Sequence, residues 1–86
     1  MLDTIVAFDV YVIDGEGIPV PQTEVGARYR YPTLPRTWST ESTDLDGCAR
    51  FRDEHGEEPT EVCLFVGDQE CGTHPLVAGA DYVLEM

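Results

Sequence analysis

Asp44 and Asp46 stand one residue apart, just ahead of Gly47 and Cys48, in the stretch STESTDLDGCARF (Ser39–Phe51). Spaced carboxylates before a glycine are what a calcium loop uses, because Ca2+ gathers about six to eight oxygens. Counted from Asp44, the fifth position is Cys48 and the twelfth is His55. An EF-hand loop needs an oxygen ligand at the first of these and a glutamate at the second, so the pattern is not completed. The simpler reading is a tight turn. Aspartate accepts bonds from the backbone just ahead of it, and Gly47 can take a positive φ. Asp44 and Asp46 remain cation candidates only if other loops supply oxygens.

The three cysteines, Cys48, Cys63 and Cys71, are the other reactive groups, with His74 separated from Cys71 by two residues. Structural zinc sites favour Cys-x-x-Cys knuckles, and none is present. Three states fit the sequence: free thiols in a reducing compartment, one disulfide (Cys63–Cys71 or Cys48–Cys63), or a small zinc or thiol redox site. A cysteine nucleophile would need His55 or His74 beside it, and paired carboxylates would need a cleft. No phosphate-cradling glycine loop and no Ser-His-Asp arrangement is present, so neither an enzyme nor a cofactor is expected. Tyr29 and Tyr31 alternate with Arg28 and Arg30, and Trp38 follows. These rings could form a binding face for carbohydrate or peptide. The alternation favours a place inside a sandwich, with Trp38 as the best core anchor.

Strands must position these residues, since no stretch repeats apolar residues with helical period. TIVAFDVYVI (Thr4–Ile13) places Val6, Phe8, Val10 and Val12 on one face. EVGARYRY (Glu24–Tyr31) alternates Val25, Ala27, Tyr29 and Tyr31 inward. TWSTEST (Thr37–Thr43) is β-prone, CARFR (Cys48–Arg52) turns Ala49 and Phe51 inward, and DEHGEEP is expected to be a polar loop. TEVCLFV (Thr60–Val66) buries Val62, Leu64 and Val66 and puts Cys63 on the other face. GDQECG reads as a hairpin connection, CGTHPLV as a weak strand, and AGADYVLEM ends on a strand pairing Tyr82 and Leu84 on one face. IPVPQTE is extended, but its prolines exclude a central strand. About seven short strands with turns between them predict an all-β, immunoglobulin-like sandwich, mostly antiparallel, as a single domain over residues 1–86.

Seventeen acidic residues face five arginines and no lysine, for a net charge of -12. Nucleic acid and anionic membrane both require cationic side chains, so neither is expected as a partner. No apolar run is long enough to span a bilayer. The N-terminus lacks the basic region of a signal peptide, so a cytoplasmic location is expected unless a signal was removed.

Three segments, in order, carry a resemblance. VIDGEGIPVPQTEV (Val12–Val25), TESTDLDGCARF and LVAGADYVLEM resemble the opening, middle and closing motifs of carboxypeptidase regulatory-like domains, which share the prealbumin-like (transthyretin-like) sandwich. The family pattern carries Gly-Ala where Gln22–Thr23 stand here. The resemblance implies a non-catalytic accessory module with no catalytic residues to carry over. The expected function is protein–protein interaction or assembly, with a basic protein partner or self-association through a sheet edge. The alternatives are a small metal-binding (Zn or Ca) or thiol redox domain, and a carbohydrate- or surface-binding module.

Overall fold

The computed structural model describes residues 4–86. Seven strands form in chain order: β1 (Thr4–Ile13), β2 (Glu24–Arg30), β3 (Thr37–Ser42), β4 (Cys48–His55), β5 (Glu61–Val66), β6 (Gln69–Pro75) and β7 (Asp81–Glu85). They make two sheets, β4-β1-β7 and β3-β2-β5-β6. Every pairing is antiparallel except β1 with β7. The expected all-β sandwich is therefore what the chain forms, and among the described residues there is no helix.

The core follows from period-two alternation. Val6, Phe8, Val10 and Val12 of β1 are buried with Ala49 and Phe51 of β4 and Leu84 of β7. Opposite them lie Val25, Ala27 and Tyr29 of β2 and Val62, Leu64 and Val66 of β5. Phe8 and Phe51 are register partners, and their rings stack at 5.0 Å. Tyr29 meets Phe8 edge-on at 6.2 Å.

Two corrections to the sequence reading matter for function. The polar run after Arg52 does not leave the sheet: Asp53, Glu54 and His55 belong to β4. Strand β1 is ten residues long, so its backbone still offers partners there, pairing Val6 with Asp53 and Thr4 with His55. A ladder with partners available outweighs an unfavourable composition. Trp38 is not a core anchor. It is 58% exposed and lies on the outer face of its sheet, above Gly26 and edge-on to Phe65 at 4.9 Å. Its register partner Arg28 sits between the inward residues Ala27 and Tyr29, and that alternation carries Trp38 outward.

Candidate functional site: a groove between two sheet edges

Strands β3 and β4 are edge strands of different sheets and lie against each other on one side of the sandwich. Between them runs a groove of about 420 Å³, lined by Tyr29, Tyr31, Arg36, Ser39, Asp53 and His55 among others. Alternation brings these side chains together. Asp53 and His55 continue the inward register of Ala49 and Phe51. Thr37 and Ser39 oppose Tyr29 and Ala27.

Two hydrogen-bonded chains organise the groove. The Tyr29 hydroxyl donates to Asp53 Oδ2 at 2.5 Å, and Ser39 Oγ donates to Asp53 Oδ1 at 3.2 Å. Burial, with help from Asp53, raises the tyrosine's pKa well above its ordinary value and keeps it a donor. The Tyr31 hydroxyl lies 2.7 Å from Thr37 Oγ1 and 2.6 Å from His55 Nδ1. His55 is only 4% exposed, and its Nε2 is enclosed with no hydrogen-bond partner. Burial lowers its pKa, so the ring is neutral near pH 7. The Tyr29 ring packs against it at 4.4 Å. Glu57 holds the adjoining loop in place, accepting from the Thr33 and Leu34 amides and the Thr33 hydroxyl at 2.7–3.1 Å.

The sequence candidates are dispersed. Asp44 sits in a turn: its Oδ1 accepts from the Asp46 and Cys48 amides at 2.8 and 3.1 Å, and Gly47 has φ +74°. These backbone bonds lower its pKa. Asp14–Ile18 repeats the arrangement, with Asp14 Oδ1 accepting from Glu16 and Ile18 and Gly17 at φ +82°. All three cysteines are free thiols. Cys48 is buried opposite Tyr11, and Cys63 is buried with its Sγ donating to Glu70 at 3.3 Å. Burial raises both of their pKa values. Cys71 is half-buried on β6, its Sγ near the Gln69 carbonyl. His74 lies across the sandwich against Tyr82 at 5.5 Å. Among the described residues no three His, Cys, Asp or Glu side chains converge as metal ligands. Of the proposed aromatic face, Tyr29 and Tyr31 are buried with their hydroxyls in the groove, while Trp38 borders the groove with its indole packed outside, against Gly26 and Phe65.

Strand β3 has a free edge beside this groove. On β2, the Glu24 and Arg30 carbonyls accept from Gly67 and Thr60, next to β5, and the Thr23 carbonyl accepts from Thr43, next to β3. Even residues of β2 therefore bond toward β5 and odd residues toward β3. Their β3 partners are Thr37, Ser39 and Glu41. The backbone groups of Trp38, Thr40 and Ser42 consequently point away from the sheet.

In comparison with known proteins, no family model and no curated protein matches this chain.

Proposed function

We propose that the chain is a non-catalytic sandwich module, akin to carboxypeptidase regulatory-like and prealbumin-like domains, that captures an extended basic segment of a partner protein on β3. The supporting observation is the unguarded β3 edge. Sheet edges are normally blunted by charge, proline or bulges. Of the other edges, β4 carries Arg50, Arg52, Asp53 and Glu54, β6 has a register shift mid-strand and ends in Pro75, and β7 is five residues that begin with Asp81 and end with Glu85. Strand β3 pairs regularly over six residues with no proline and only Glu41 charged. Strand addition there uses backbone bonds for affinity, and the charge of -12 favours a basic segment. Gln22 supports the family likeness. It has φ +54°, the left-handed region, at the place where the family pattern carries glycine.

The test is capture by wild-type protein compared with Thr40→Pro, which removes one outward amide and no bond to β2. Wild type should retain a basic partner, with the Trp38, Thr40 and Ser42 amides protected from exchange in the complex. Equal retention by the proline variant refutes the reading.

A further inference from the structure

We infer that the groove is a seat for one cationic side chain, arginine or lysine, of the segment that adds to β3, with Asp53 as its anionic partner. This rests on the β3-edge reading. A strand laid beyond β3 alternates its side chains in step with β3. The residue opposite Ser39 shares its face and enters the groove, where Ser39 already reaches Asp53. Asp53 is half-buried, and among the described residues it has no ion pair. Four of the five arginines, Arg28, Arg30, Arg50 and Arg52, are committed to other carboxylates. A half-buried carboxylate holding only neutral donors is completed by a cation.

His55 supports the same ligand. It is neutral, so it does not repel a cation. When Nδ1–H donates along the Tyr31–Thr37 chain, Nε2 is an unpartnered acceptor that adds no positive charge behind Asp53. A guanidinium offers several donors in a fixed fork and suits the two oxygens of the Asp53 carboxylate. Glu54 adds negative charge to the groove lining. Arg36 opposes the ligand: it lines the same groove, is exposed, and has no ion pair among the described residues. It therefore competes with an incoming cation for Asp53.

The experiment is an NMR titration of the 86-residue chain with two blocked pentapeptides, acetyl-Thr-Val-Arg-Val-Thr-amide and the same peptide with citrulline for arginine. Citrulline keeps the shape and removes the charge. The arginine peptide should bind about tenfold more tightly, one charge-assisted contact. Asp53→Asn should erase that ratio and leave the citrulline peptide unchanged, while Arg36→Gln should widen it. A ratio of one in wild type overturns the cation seat and leaves edge capture standing. Unchanged binding of both peptides to Thr40→Pro removes edge capture instead. If neither peptide binds, acetyl-arginine amide decides. Shifts at the Asp53 and His55 signals that vanish in Asp53→Asn keep the seat, and no shifts there overturn it.

Discussion

Gln22 holds a backbone conformation that suits glycine, with φ +54° and its amide tied to the Thr43 carbonyl at 3.0 Å. A side chain in the left-handed region costs roughly 1–2 kcal/mol, partly offset by the entropy glycine loses on folding. Gln22→Gly is therefore expected to stabilise the fold by about 0.5–1 kcal/mol, read as a higher urea midpoint. Gly47 is the reverse case. Its φ is +74°, and an added Cβ would lie 2.9 Å from both the Val12 carbonyl oxygen and Pro19. Gly47→Ala should cost about 2 kcal/mol or more, whereas Gly15→Ala, with nothing within 4 Å, should be close to neutral. His55 gives the fold a pH dependence. Its folded pKa is lowered by burial, so the unfolded chain takes up the proton first as pH falls. Its contribution is complete above the ordinary histidine value of about 6.5 and is lost as pH drops from there toward the folded value. The drop in urea midpoint between about pH 7.5 and 5.5 should be smaller in His55→Gln than in wild type.

At the scale of the strands, two aromatic residues read alike in sequence have opposite places. Trp38 rests on Gly26 and Phe65 and stays largely exposed, while Phe51 is wholly enclosed and stacked on Phe8. Trp38→Ala should cost only about 1 kcal/mol, against about 3–5 kcal/mol for Phe51→Ala. Equal losses by chemical denaturation would contradict this placement. Alternation made most of the core legible beforehand, including Val6 to Val12, Val25 to Tyr31 and Val62 to Val66. It also made the Asp44–Gly47 turn legible, because aspartate and glycine act there through local bonds. The groove was not legible. Asp53 and His55 sit in the acidic run DEHGEE, whose composition suggests a loop. The signal that could have found them is positional: continuing Ala49 and Phe51 by twos reaches 53 and 55. What kept them in the strand is the length of β1, a partner 47–51 residues distant along the chain. Trp38 was misplaced for a related reason. A six-residue edge strand with one large ring among small polar residues shows no alternation, so its inward face is set by its register with β2.

Across the whole molecule, the net charge of -12 acts within extents of 44 × 20 × 17 Å. The screening length is about 30 Å at 0.01 M salt and about 8 Å at 0.15 M. At low salt, carboxylates on opposite sides of the sandwich therefore repel one another, and at physiological salt only near neighbours do. Unfolding separates the charges, so the repulsion opposes folding. The attractive pairs give little in return. Arg28–Glu70 and Arg50–Asp44 are 4.0 and 3.8 Å apart, and Arg30–Glu61 and Arg52–Asp9 are 3.3 and 3.1 Å apart, each with at least one well-exposed side chain. Exposed pairs of this kind contribute about 0–1 kcal/mol each and are themselves screened. Repulsion dominates because seventeen carboxylates share five cations. Raising sodium chloride from about 0.01 M to 0.15 M should then stabilise the fold by on the order of 1 kcal/mol, seen as an upward shift of the thermal midpoint. The same salt should weaken the arginine peptide much more than its citrulline counterpart, since only the first gains from the protein's field. A thermal midpoint that falls as salt is added would show that the four ion pairs outweigh the repulsion.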